Sequence, residues 1–401
     1  MPQQYLSDTV GGLDDHIRLV IRGDEIKISE SWTVTESVME VPCAWSVRLG
    51  WGGVARDIIS RYKKGDPFEL YIGDDLQMTG RLDAIRASQE PGGALTLELG
   101  GRDSIAPLVT TSVTAQQSFK DLTYFDLVRR AVDACPAIAG RPIEFSNAAN
   151  RQIKAGVKVL EVAAVRTAEQ VLQEGVGFVT GTVTQELQAK VSESWIHFLR
   201  RYLDRAGLFL WSAADGTFIL SEPNGKQSAT YRLVRQRGDP TKTGDVIAVS
   251  YQDDAARRHS EAVVYGRGGG RKSGPVKAKG SFVDQEMVDL GFDQPIAFKD
   301  ANVHTDQEAA FFARRKLAEE RREGWRLEYT IAGLRLPTVA GPQGTWGVVT
   351  PDTVVNVNDL ELGIAGDFYV DSVQRARSPQ TTAKIRLMRL GDLIFGSDET
   401  E

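Results

Sequence analysis

The sequence is poor in the residues that most often carry chemistry. Among 401 residues there are two cysteines, Cys43 and Cys135, and four histidines, His16, His197, His259 and His304. Two distant cysteines make no disulfide framework and fit reduced, buried thiols in a cytosolically made protein. No histidine has a second ligand at a spacing such as H-E-x-x-H or C-x-x-C, so no metal site is expected. A G-x-S-x-G elbow is also missing, which removes the commonest serine-hydrolase signature. There is no basic excess: the formal net charge is −6, against the usual balance of a general nucleic-acid binder. No uninterrupted apolar run reaches the 18 residues of a membrane span, so membrane insertion is not expected. The opening "MPQQYLSDTVGGLDDH" lacks the basic region and apolar core of a signal peptide.

What remains is the composition of a folded protein, 41% hydrophobic and 25% charged, long enough for two or three domains. The first hundred residues alternate apolar and polar side chains, as in "HIRLVIRG", "EIKISESWTV" and "PFELYIGDDLQMTGRLDAIRA". Turn signals stand at Gly23–Asp24, "GDD" and "EPGG", so short strands of a barrel or sandwich are expected, with one helix over Val54–Tyr62. The middle changes period. Tyr124, Val128, Ala131 and Cys135 share a helical face, and another helix is expected over Ala164–Gln173. In "SESWIHFLRRYLDRAG", Trp195, Phe198, Leu199, Tyr202 and Leu203 form an apolar stripe between a serine cap and Gly207. Strands return from about Asp245, interrupted by one helix that Thr305 and Glu308 open as a capping box. The expected fold is mostly β with an α+β middle, divided into residues 1–115, 116–230 and 231–401.

Two features invite a chemical reading. The acidic pairs Asp14–Asp15, Asp74–Asp75 and Asp253–Asp254 stand at turns, where aspartate is favoured for backbone reasons; glycosidase-like catalysis would need two such groups facing across a cleft. The stretch "YGRGGGRKSG", Tyr265–Gly274, comes within one residue of a P-loop, with Arg271 in place of the second glycine. A working P-loop leads from a strand into a helix. Here Gly274, Pro275 and Gly280 forbid an immediate helix. The glycines read as a connection between β elements. The five cations from Arg267 to Lys279 read as a docking contact, with Arg267, Arg271 and Lys272 the candidate assembly residues. No catalytic, cofactor-binding or metal-ligating residue is assigned.

Two β stretches look related. "DPFELYIGDDLQMTG" from Asp66 and "DTVVNVNDLELGIAG" from Asp352 each continue through a strand, a long turn and a last strand, ending at Asp103 and Asp392. Two β modules flanking a helical middle is therefore the expected architecture. In order and spacing, these stretches resemble the baseplate hub proteins of contractile-tailed phages, the Mu-type tail protein P family. Further carriers are "GGRDSIAPLVTTS", "SESWIHFLRRYLDRAGLFLWSAADGTFILSEP" and "DQEAAFFARRKLAEERREGWRLEYTIAGLR". The resemblance spans about His16 to Phe395, and Ile138–Gln188 departs from it by being longer.

That resemblance implies two tail-tube-like β-barrel modules per chain and a homotrimer with a pseudo-sixfold ring. Such a ring adapts the sixfold tail tube above to the threefold central spike below, and its lumen passes phage DNA without specific binding. It implies a structural, non-enzymatic virion component of the tail baseplate, assembled in the bacterial cytoplasm and using no cofactor. Two alternatives stand beside it: a spike-associated cell-wall hydrolase, and the hub portion of a type VI secretion spike. Type VI chains normally continue into a β-helical spike, whereas this one ends at Glu401, which favours a separate spike protein.

Overall fold

The computed structural model describes residues 13–26, 31–49, 54–89, 95–119, 122–146, 187–236, 246–266, 278–300, 305–340 and 345–393, with Thr9, Val10, Ile28, Pro91 and Val303. The helix expected over Ala164–Gln173 lies outside the described residues. The chain is mostly β, as its alternation implied, with helices in the middle and the longest one, Asp306–Gly324, towards the carboxy terminus.

The alternation converts directly into a two-faced strand. In Ile17–Ile21 the residues Ile17, Leu19 and Ile21 are buried, while Arg18 and Val20 are half-exposed. The hairpin that follows turns on Arg22 and Gly23, both with positive φ (55° and 85°). This is one residue earlier than the Gly23–Asp24 turn read from sequence. Positive φ at both positions gives the backbone twist that matches a tight hairpin.

Thirteen strands form one continuous sheet. From one end the order is Val246–Asp253, Trp325–Ala332, Thr381–Arg389, Ile364–Arg377, Ser31–Ser37, Ala44–Leu49, Leu95–Asp103, Asp75–Gln89, Pro67–Ile72, Ile17–Ile21 and Asp24–Ile26. Val354–Asp359 pairs with Ile364–Arg377, and Tyr231–Arg235 pairs parallel to it. No pairing among the described residues closes either module on itself. The two modules run edge to edge, joined by the antiparallel ladder between Ser31–Ser37 and Ile364–Arg377.

The duplication is present in the topology. In the amino-terminal module the strands Ser31–Ser37, Ala44–Leu49, Leu95–Asp103, Asp75–Gln89 and Pro67–Ile72 are neighbours in that order. In the carboxy-terminal module Val246–Asp253, Trp325–Ala332, Thr381–Arg389, Ile364–Arg377 and Val354–Asp359 repeat it. Each long strand carries a bulge against the strand after it: Asp83 is skipped between Leu82 and Ala84, and Asp371 between Val370 and Ser372. Both bulged residues are aspartates held by an arginine of that next strand, Arg102 at 2.5 Å and Arg386 at 3.4 Å. A bulge at the same place in the same strand order marks a shared design.

The register refines the repeat seen in sequence. Aligning the bulges places Phe368 opposite Arg389 as Gly80 stands opposite Asp103. Gly80 thus corresponds to Phe368, not to Gly366. The four-residue turn Leu360–Gly363 replaces the two-residue turn Gly73–Asp74, and a second irregularity at Gln77 absorbs part of the difference. Asp103 matches Arg389, so Asp392 lies three residues beyond the equivalent position.

Three buried clusters organise the chain. One runs through both modules and holds Trp32, Val34, Leu70 and Leu99 together with Tyr329, Val373 and Ile385. A second belongs to the middle, where Tyr124–Asp133 and Trp195–Ala206 pack together. The second of these helices begins at Ser194, which accepts from the His197 amide, and ends at Gly207 in the left-handed region. Its predicted stripe is the buried one. The third cluster lies between the helix Asp306–Gly324 and a separate three-stranded sheet of Lys279–Val283, Glu261–Gly266 and Pro295–Asp300. Sequence placed Glu261–Gly266 in the second barrel; the structure gives it to this small sheet. Its alternating side chains fit either sheet equally, and only long-range pairing decides.

Candidate functional site

The acidic pairs face cations and turns. Asp15 is buried and accepts from the Leu334 amide (3.0 Å) and from Arg335 Nε (3.1 Å). Asp75 accepts from the same guanidinium at 3.1 Å. Together they tie the first module to the second. Asp253 lies 3.4 Å from Arg389 and 3.8 Å from Arg258, and Asp254 accepts from the Ala256 amide at 2.8 Å in a local turn. These carboxylates hold structure together.

The described histidines are dispersed too. His197 is exposed on the helix Trp195–Ala206, and His259 Nδ1 lies 2.9 Å from Glu320 Oε2. No group of three or more His, Cys, Asp or Glu is placed to hold a metal ion among the described residues.

A cavity of about 200 Å³ lies where the first module meets the hairpin of Phe209–Ser212 and Phe218–Ser221 in the middle and Thr350–Pro351 of the second module. Glu36, Cys43, Asp103, Trp211 and Thr350 are among the side chains that line it. Cys43 donates its amide to Asp103 Oδ2 at 3.1 Å. Burial pushes the Asp103 carboxyl up to about 7 and the Cys43 thiol well above its ordinary value. A thiol held neutral is a poor nucleophile. Burial here removes reactivity.

Arg267, Arg271 and Lys272 lie outside the described residues. The ends of their segment are described. Gly266 donates to Ala278 O at 2.7 Å, and the chain passes from the strand Glu261–Gly266 into the antiparallel strand Lys279–Val283. A P-loop leads from its strand into a helix, whereas the next described element here is a strand that pairs back on the one before it.

The feature that distinguishes this molecule is the seam between its modules. Ser37 through Trp32 pair in register with Ser372 through Arg377. On the inner face Trp32, Val34, Val373 and the fully buried Arg375 meet. Arg375 forms an ion pair with Glu36 and donates to Val349 O at 2.5 Å. The seam uses the free side of the first strand of one module and the free side of the far half of the long strand in the other. Since the modules are equivalent, one more copy of each edge exists. They belong to Val246–Asp253 and to Ala84–Ser88, and neither has a strand partner on that side among the described residues. Sequence reasoning missed these edges, because alternation reports which face of a strand is buried and says nothing of its sides.

No protein-family model and no curated protein sequence matches the chain. Solved structures do match. A tail protein from Neisseria meningitidis MC58 superposes with a TM-score of 0.71 at 18% identity, covering 94% of this chain and 97% of that one. The 43 kDa tail protein of prophage MuSo2 from Shewanella oneidensis matches with a TM-score of 0.68 at 18% identity, over 94% and 98% of the two chains. Prophage tail protein gp18 from Listeria monocytogenes EGD-e is more distant, with a TM-score of 0.50 at 10% identity over 92% and 94%. The chain therefore has the fold of phage tail proteins, and within them the two most similar of these are matched over nearly their full length.

Proposed function

We propose that this chain is a structural hub of a contractile-tail baseplate, a non-enzymatic part of the virion tail assembled in the host cytoplasm. Three copies join head to tail, so that six equivalent modules surround a channel while the middle domains keep threefold symmetry. Such a ring matches a sixfold tail tube on one side and a threefold spike on the other, and its channel passes DNA. The observation that supports this most is the unsatisfied pair of edges. Among the described residues the two modules meet through one seam and both halves of a second seam stay open. A contact between two such unlike edges of separate copies is heterologous, so it closes into a ring or runs on as a filament. Exposed strand edges are an aggregation hazard that ring closure removes.

The proposal predicts a discrete assembly. Size-exclusion chromatography with light scattering should return three times the chain mass across a concentration series. A strict monomer at high concentration, or a twofold dimer, would exclude the ring.

A further inference from the structure

We propose that the interchain seam is a strand ladder whose register is set by the seam inside the chain: Ser250–Asp254 of one copy pairs antiparallel with Ala84–Ser88 of the next. The inference rests on the ring-forming role above and adds to it which residues meet.

The register follows from two alignments. Trp45 stands opposite Gly101, and Leu327 stands opposite Leu387, at equivalent places in the two modules. Val34 pairs with Trp45, and Tyr251 pairs with Leu327, so Tyr251 is the counterpart of Val34 and Val249 that of Trp32. On the other side the bulges at Asp83 and Asp371 make Ala84 the counterpart of Ser372 and Ala87 that of Arg375. Inside the chain Arg375 faces Val34, and Ser372 faces Ser37. Carrying this outward places Ala87 opposite Tyr251, Ser88 opposite Ser250, Arg86 opposite Gln252 and Ile85 opposite Asp253.

The side chains at the open edges already carry the pattern of a covered strand. Val249 and Tyr251 alternate with Ser250 and Gln252, as Trp32 and Val34 alternate with Thr33 and Thr35. Ile85 and Ala87 alternate with Arg86 and Ser88. In both edges the apolar residues occupy the positions whose internal counterparts are buried. Ile85 and Val249 already rest against the main core, yet Tyr251 is 46% exposed. A partner strand would extend the core face across the gap, with main-chain hydrogen bonds supplying affinity and alternate side chains the register. Arg86 and Asp254 fall diagonally across that ladder with opposite charge, within reach of long side chains.

Cross-linking tests the register. Ser88→Cys and Ser250→Cys, both exposed sites, are combined in the full-length chain and oxidised with oxidised glutathione. Directly opposed residues have Cβ atoms close enough for a disulfide. Non-reducing gels should show dimer and then covalent trimer, and neither single variant should exceed a dimer. A shifted pair, Ser88→Cys with Gln252→Cys, should link far more weakly. Light scattering on the same samples separates the outcomes. A trimer that links through the shifted pair, or through neither, leaves the ring standing and overturns this register. A monomer that never links overturns both.

Discussion

Arg375→Ala is expected to lower the stability of the folded chain by ~3–5 kcal/mol, the usual cost of leaving one member of a buried ion pair alone. Arg375 has no solvent exposure, and its removal strands Glu36, itself buried, on the inner face of the seam. The Val349 carbonyl loses its donor at the same time. A urea titration followed by tryptophan fluorescence should show the midpoint fall, since Trp32 lies in the same ladder. The paired replacement Glu36→Gln with Arg375→Met should recover much of the loss, because a neutral seam of similar volume removes the unpaired charge. An unshifted midpoint for Arg375→Ala would mean that the two modules are held by something other than this seam. The outer counterparts of the pair are Ala87 and Asp253, and Asp253 already has its cations, Arg389 and Arg258, within its own chain, so the inner face of the inferred interchain seam carries no ion pair between its two strands. A contact that must form between separate chains avoids the desolvation cost that a preassembled one can bear.

The second large effect concerns pH. Burial holds the Asp103 carboxyl at about 7 in the folded chain, while in the unfolded chain it titrates near its ordinary value of about 4. Between these values the folded state keeps a proton that the unfolded state has released. The contribution of this carboxyl to stability is therefore full below about pH 4 and is lost as pH rises toward 7. The sign is opposite to that of a salt-bridged carboxylate. The difference between the two states corresponds to ~4 kcal/mol at most. Asp103→Asn keeps an acceptor for the Cys43 amide and abolishes the titration. The variant should lose less stability than the parent as pH rises across this window, and should be more stable than the parent at pH 8. Burial also raises the carboxyls of Asp352, Asp371 and Asp392, which keep a residual slope. Equal pH profiles for the two proteins would show that the folded carboxyl is not held neutral by its surroundings.

Much of the fold was legible in the sequence, for reasons visible in single elements. Trp195, Phe198, Leu199 and Leu203 predicted the face that helix buries, and Ser194 and Gly207 its ends. Capping and periodicity are local, and local signals survive folding. The strands of both modules were legible for the same reason. Their repeat was seen through Asp66–Gly80 and Asp352–Gly366, but the register was off by two residues, since turn length and bulges decide which residues face each other. Pairings between distant segments were not legible. Tyr231–Arg235 beside Val354–Asp359, and Glu261–Gly266 beside Pro295–Asp300, are parallel pairs that no hairpin signal announces. The candidate site belongs to this second kind. An open strand edge is a property of topology, so "VIAVSY" reads the same whether its outer side is covered or bare. The glycine-rich stretch with Arg267, Arg271 and Lys272 drew notice because its composition is unusual, whereas the edges the structure exposes are ordinary strands in composition.

Electron micrographs of the purified assembly should give class averages with six similar lobes around an open channel, threefold when the middle domains are included. A closed twofold particle, or isolated single chains, would contradict the proposed ring.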